Sequence, residues 1–426
     1  MQKEYIAFTK EMKKDYTVLI PNMLPMHFTL IAKLLNAYGI KNEVLFTKGD
    51  HIKEIGLKYT HNDACYPAII VIGQFIDALQ SGKYDPHKVA LIMFQTGGGC
   101  RASNYINLIR KALKKAGFGY VPVISFSLQG LERHSGFQLT LPILHRMMYA
   151  ILYADLLMLL RNQCRSYEIN AGESEALAQK WTNRLVDEMT TGRVSYKRVK
   201  QNYKAIVNDF NNIPRKEEKR VKVGVVGEIY VKYSPLANND LEDFLVSEGA
   251  EVTVPGLLDF ILYCVYNGIA DYKLYGRGKV PHLLNKVAYK FLLRKQRDVI
   301  NVIKENSNFE PPTYFDHTVT LIKGYIGIGT KMGEGWLLTA EMLELAEKGV
   351  PNIVCAQPFG CLPNHICGKG MMRPIKEKNP NINIVAIDYD AGATQVNQEN
   401  RIKLMLMNSK DMPQTLNEKE KAEQYV

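Results

Sequence analysis

The chain predicts an α/β fold: two Rossmann-like domains with parallel sheets, joined by a helical arm. Three observations lead there. Short β-branched runs alternate with helix-length segments, the pattern of β-α-β units and parallel sheets. The alternation gives way to helical sequence near residue 160 and resumes near residue 217. The length of 426 residues, 46% of them hydrophobic, suits two domains with full cores. The expected boundaries are 1–160 for the first α/β domain, 161–216 for the arm and 217–426 for the second α/β domain.

Taken in order, Tyr16 to Ile20 reads as the first strand, Pro25 to Tyr38 as a helix closed by Gly39, and Asn42 to Phe46 as the second strand. Asn62 or Asp63 caps the next helix and Pro67 suits its first turn, so Cys65 falls at a helix N-terminus. Val89 to Phe94 is a strand, and Gln95-Thr96-Gly97-Gly98-Gly99-Cys100 is a glycine-rich turn into a helix over Asn104 to Lys115. Val121 to Phe126 is a fourth strand. Leu141 to Arg161, Glu173 to Thr190 and Tyr196 to Asn212 read as long helices, with Cys164 at the end of the first. Ile213-Pro214-Arg215-Lys216 is the domain boundary.

The β-α pattern then restarts. Val221 to Val226 is a strand followed by Glu228, Asn238-Asn239-Asp240 caps a helix to Glu248, and Glu251 to Val254 is a strand. Leu257 to Tyr266 is a helix carrying Cys264, and residues 282–306 form a basic amphipathic helix. Gly327 to Gly335, with Glu334, opens the helix Leu337 to Lys348. Asn352-Ile353-Val354 leads into a loop holding Cys355, Cys361 and Cys367 at two equal gaps, with His365 between the last two. Ile382 to Ile387 is the last strand, Thr394 to Met407 the last helix.

A net charge of +11 raises the question of nucleic acid, but the lysines are spread over helix faces. The densest run, Lys216 to Lys222, contains Glu217 and Glu218, and no basic patch is interleaved with aromatics as single-strand binding needs. Nucleic acid is therefore not an expected partner. No signal peptide is expected from the polar N-terminus, and no apolar run reaches the length of a membrane span, so the chain is expected in the cytoplasm without membrane contact.

Seven cysteines, an odd number with no C-x-x-C pair, argue against a disulfide framework, a zinc ribbon and a thioredoxin motif. A single cysteine is commonly just a small buried hydrophobe. Four of these, Cys65, Cys100, Cys355 and Cys361, are expected in or just beyond loops at the carboxyl ends of strands, where open α/β sheets build their sites. Helix N-termini favour thiolates, and the backbone N–H groups of a turn such as Gly97-Gly98-Gly99 can donate to inorganic sulfide. Metal or redox chemistry is the expectation. That glycine run lacks both a P-loop ending and a dinucleotide-binding spacing.

The chain resembles the 2-hydroxyacyl-CoA dehydratase component family, and within it the double-cubane cluster proteins. The resemblance is carried by Asn62 to Pro67, Gln95 to Tyr105, Lys232 to Asn239, Gly333 to Trp336, Val354 to Gly370, and Asp388 to Asp390 with Asn397-Gln398. It implies a metal cluster held between the two domains, either an 8Fe–9S double cubane or 4Fe–4S. It implies Cys65, Cys100 and Cys164 from the first half and Cys264, Cys355 and Cys361 from the second as ligands. Cys367 is the replacement if Cys164 is not one. Gly98, Gly99 and Gln357 are candidates for contact with the cluster, and His365, Glu228 and Glu334 for proton donation.

The resemblance further implies an iron–sulfur reductase of a small molecule, supplied with low-potential electrons in trans by an ATP-dependent activase carrying its own 4Fe–4S cluster, and a homodimer. A dehydratase subunit that eliminates water from a 2-hydroxyacyl-CoA through a ketyl radical, and an electron-transfer module without turnover, are the other two readings.

Overall fold

Runs rich in Val, Ile and Leu, with little polar alternation, make strands buried on both faces, as a parallel sheet covered by helices requires. A computed structural model describes residues 5–94, 99–126, 134–192, 194–276 and 278–410. Four such runs, β1 (Thr17–Pro21), β2 (Asn42–Leu45), β3 (Val89–Phe94) and β4 (Val123–Phe126), form an all-parallel sheet of order β2-β1-β3-β4. A second set, β5 (Lys222–Gly227), β6 (Glu251–Thr253), β7 (Asn352–Pro358) and β8 (Asn383–Tyr389), repeats the plan as β6-β5-β7-β8, again all parallel. The chain direction across each sheet reverses between its two central strands, β1 and β3 in one and β5 and β7 in the other. In open α/β folds such switch points create a crevice at the carboxyl ends of the strands.

The first sheet is dressed by α1 (Met12–Asp15), α2 (Pro25–Ala37), α3 (Asp50–Tyr59), α4 (Tyr66–Gln80) and α5 (Tyr105–Lys115). The middle of the chain forms α6 (Leu141–Arg165), α7 (Glu173–Thr191) and α8 (Tyr196–Asn211). The second half adds α9 (Ile229–Tyr233), α10 (Pro235–Asn238), α11 (Leu241–Ser247), α12 (Leu257–Tyr275), α13 (Lys279–Asn306) and α14 (Phe315–Leu321). It ends with α15 (Trp336–Glu347), α16 (Leu362–Cys367), α17 (Met372–Lys378) and α18 (Gln395–Lys410).

Two features differ from the expected layout. The boundary placed at residue 160 falls inside α6, whose apolar periodicity carries it on to Arg165. And α6 to α8 are not a strap between two separate bodies. They pack with α12, α13 and α15 into a helical core holding Tyr153, Trp181, Tyr203, Phe210, Leu262 and Trp336. The two sheets share another core, in which Val18, Leu91 and Ile124 are continuous with Val225, Val354 and Ile387. α6 alone among the described helices is long and apolar enough to cross a membrane, and most of that stretch is buried inside this fold.

Asp155, on α6, ties the layers together. Its carboxylate accepts from the backbone N–H of Leu257 and Leu258 (2.8 and 2.9 Å), capping the N-terminus of α12. The same group pairs with the buried His27 Nε2 of α2 at 2.8 Å. One carboxylate thus bonds elements of the first unit and the second.

Candidate metal centre

Three cysteine-bearing loops meet where the two switch points face each other. Cys65 is the N-cap residue of α4 and Cys361 that of α16, each with proline in the first turn. Cys100 stands at the N-terminus of the short 3-10 turn Arg101–Asn104, beyond β3. The loops are joined across the units. Tyr66 N donates to the Phe359 carbonyl at 3.0 Å, and Gly99 N lies 3.1 Å from Met332 Sδ. Gly360 has φ +69, and a Cβ there would stand 3.2 Å from Cys65 Cα. Gly333 has φ +57, and a Cβ there would stand 3.1 Å from the Pro363 ring and 3.7 Å from Cys100 Sγ. Glycine at these two positions lets the second unit's loops close on the first unit's cysteines.

The electrostatics define the same group. Burial pushes the Cys65 thiol up, opposed by a 2.9 Å hydrogen bond with the Tyr105 hydroxyl. Burial also pushes the Cys361 thiol far up, with the charges of Glu334, Glu228 and Cys100 adding to it. Cys264 lies on the solvent-facing side of α12 but is crowded by surrounding protein. That crowding, with Glu334, pushes its thiol up to about 12. Cys367 is buried at the end of α16 and is pushed up to about 11 by burial and then by Glu334.

Glu228 and Glu334 form the floor. Both are buried, and burial raises both carboxyls, with Glu334's charge raising Glu228 further. Glu228 caps α9 by accepting from Val231 N (2.9 Å), and Glu334 accepts from Ile229 N (2.9 Å). Behind them Lys232 is almost fully buried and bonds both oxygens of Glu341 at 2.9 and 3.3 Å. His365 is exposed on α16, and its Nδ1 lies 2.8 Å from both Gln357 Nε2 and the Cys361 carbonyl oxygen. Gln357 Oε1 is buried with no hydrogen-bond partner among the described residues.

Two of the six expected ligands lie elsewhere. Cys355 is not in a loop. The strand continues through Val354-Cys355-Ala356-Gln357-Pro358, pairing with both β5 and β8. Alternation along β7 puts Cys355 with Ile353 in a separate small core, its thiol bonded to Asn364 Oδ1 at 3.5 Å and pushed up to about 12 by burial. Cys164 is buried in the helical core, its thiol facing the Phe210 carbonyl at 3.9 Å and likewise pushed up to about 12 by burial. Both behave as small hydrophobes. Cys367, expected as the spare, is within reach of Glu334, as Cys361 and Cys264 are, whereas Cys355 is not. Gly98 and Gln95 lie outside the described residues, and Gly99 is held by the Met332 contact already noted.

The donor set can be tested against the implied cluster. Six thiols do not come together, so the chain's own residues do not fit a six-cysteine double cubane. Three thiols from three separate loops, with Cys264 and Cys367 both under the influence of Glu334, fit the three or four thiolates of a 4Fe–4S cluster. A cluster takes its thiolates on different irons and so spreads them apart. Among the described residues no three His, Cys, Asp or Glu side chains stand close enough to hold a single ion. Comparison with models of known protein families and with curated proteins finds no match.

Proposed function

We propose that the crevice between the two sheets binds one iron–sulfur cluster of the 4Fe–4S type and that the protein is an iron–sulfur oxidoreductase acting on a small molecule. The observation that carries the reading is the meeting of Cys65, Cys100 and Cys361 from three loops at the facing switch points. The resemblance set out above supports it independently, and it alone supplies the electron source, an ATP-driven donor acting in trans.

Cys65, Cys100 and Cys361 would hold the cluster, and Cys264, which shares the influence of Glu334, would complete a four-thiolate set. When bound, the cluster supplies one-electron chemistry at low potential. The chain's own part is the surroundings. Buried thiols keep their protons until a metal displaces them, so loading releases protons. Glu228 and Glu334, whose carboxyls burial raises, would serve as proton stores beside the site. His365 Nδ1 is engaged by the Gln357 side chain and the Cys361 backbone, which fixes the ring relative to the Cys361 loop. The experiment is anaerobic purification or reconstitution with iron and sulfide analysis of the full chain. Iron near four per chain is the expected result, and a chain that takes up no iron overturns the reading.

A further inference from the structure

Arg101 belongs to the Cys100 loop, bonds the Cys65 loop and stands beside the Cys361 loop. It follows Cys100 directly in the chain. Its guanidinium Nη1 donates to the carbonyl oxygen of Asp63, two residues before Cys65. The same nitrogen lies 3.4 Å from where a Cβ on Gly360 would stand, so the backbone just before Cys361 runs alongside it. Its charge also bears on the Cys65 thiol. Arg101 is exposed and has no carboxylate partner among the described residues, so core packing does not account for its placement.

We propose that Arg101 is the positioning residue of the metal centre, a fork that locks the loops of Cys65, Cys100 and Cys361 into one arrangement. The inference rests on the cluster reading given above. The physical logic is specific to arginine. A planar guanidinium is broad and presents its donors in fixed directions, so it can donate to the Asp63 carbonyl while standing beside the Gly360 backbone. An ammonium carries the same charge as a point and has no such plane. The role belongs to one domain's loop reaching the other's. Cys65 and Cys100 come from the first unit and Cys361 from the second, and Arg101 spans that seam.

The test uses the reconstituted full chain and follows iron release to a chromogenic iron chelator under anaerobic conditions. Arg101→Met and Arg101→Lys are compared with Lys369→Met, which removes a positive charge of the second unit paired with Asp388. Both Arg101 variants are expected to lose iron about 10-fold faster or more, the usual range for residues that orient metal ligands. Lys369→Met is expected to release iron at the wild-type rate. The metal-free variants are expected to melt within about 2 °C of wild type, because surface groups of this kind contribute little to folding. Wild-type release rates in both Arg101 variants would overturn the proposal. So would retention of iron by Arg101→Lys alone, since that would assign the effect to charge and not to the fork. A wild-type chain that never loads iron would instead sink the cluster reading itself, and this inference with it.

Discussion

At the scale of single residues, the seven cysteines divide into those that face the crevice and those that fill cores, and serine substitution separates them. Cys65→Ser, Cys100→Ser and Cys361→Ser should each abolish or sharply lower iron content. Cys164→Ser and Cys355→Ser should keep iron but lose roughly 1–3 kcal/mol of stability, because each puts a more polar and smaller hydroxyl in an apolar core, with its acceptor, the Phe210 carbonyl or Asn364 Oδ1, set at thiol distance. Iron analysis paired with urea titration reads both effects. The Lys232–Glu341 pair gives a second prediction. Both groups are buried, so Lys232→Met leaves Glu341 uncompensated and should cost about 3–5 kcal/mol. The double change Lys232→Met with Glu341→Leu should recover much of that loss in the same titration. A loss no smaller in the double variant would show that the pair is not what Lys232 serves.

The sequence motifs located Cys65, Cys100 and Cys361 well, because helix N-caps and strand-to-helix turns are written locally in proline, glycine and capping residues. They misplaced Cys355. A strand's end depends on its neighbours, and β7 continues to Pro358 because β5 and β8 both offer it partners. Cys164 does fall at the end of its helix, as expected, but inside the helical core. A helix end looks like a loop site until other helices are packed over it, and Trp181 and Phe210 do that here. Lys232, Glu341 and Arg101 were missed as members of the site. The first two are charges in a buried position, which only the tertiary fold reveals.

At the scale of elements, two joints carry predictions. Asp155 caps α12 and holds His27, so Asp155→Ala removes a cap and orphans a buried ring. It should cost about 2 kcal/mol or somewhat more. Asp155→Asn, which keeps one oxygen for the cap, should cost less, as thermal denaturation would show. The second joint is Glu188 of α7, bonded by Arg198 and Asn202 of α8 and by Arg184 of its own helix. The Arg198 hydrogen bond leads, with Asn202 and Arg184 following, and the carboxyl is held down at about 2 against partial burial. A carboxyl lowered on folding stabilises fully above its ordinary value near 4.5. That contribution fades as pH falls from there towards 2. The stability gap between wild type and Glu188→Gln should therefore be constant above about pH 5 and shrink below it. A gap that widens on acidification would contradict the assignment.

The eight strands fell within a few residues of their expected positions, since short β-branched runs in parallel sheets are nearly continuous in hydrophobicity. Helix α12 was expected to end at Tyr266 and runs to Tyr275, because its second half is amphipathic and finds its apolar partner only in α13. Several short helices, α14 and α17 among them, were missed, since one or two turns leave too little periodicity to read.

At the scale of the whole molecule, two sheets of identical order share one core, and their switch points face each other across it. That arrangement explains why ligands from residues 65, 100 and 361 can belong to one site. It also makes the site sensitive to how the two units sit, since the crevice loops are joined across them by bonds such as Tyr66 to Phe359 and Ser234 Oγ to the Asn22 carbonyl at 3.1 Å. A bound cluster would cross-link the units, so iron loading should raise the melting temperature of the full chain and narrow its transition. The measurement that bears most directly on the central claim is iron and sulfide per chain after anaerobic reconstitution, in wild type and in the Cys361→Ser and Cys355→Ser variants. The expected result is about four iron and four sulfide per chain, lost in Cys361→Ser and kept in Cys355→Ser. About eight iron per chain that depends on Cys355 and Cys164, or no iron at all, would contradict it.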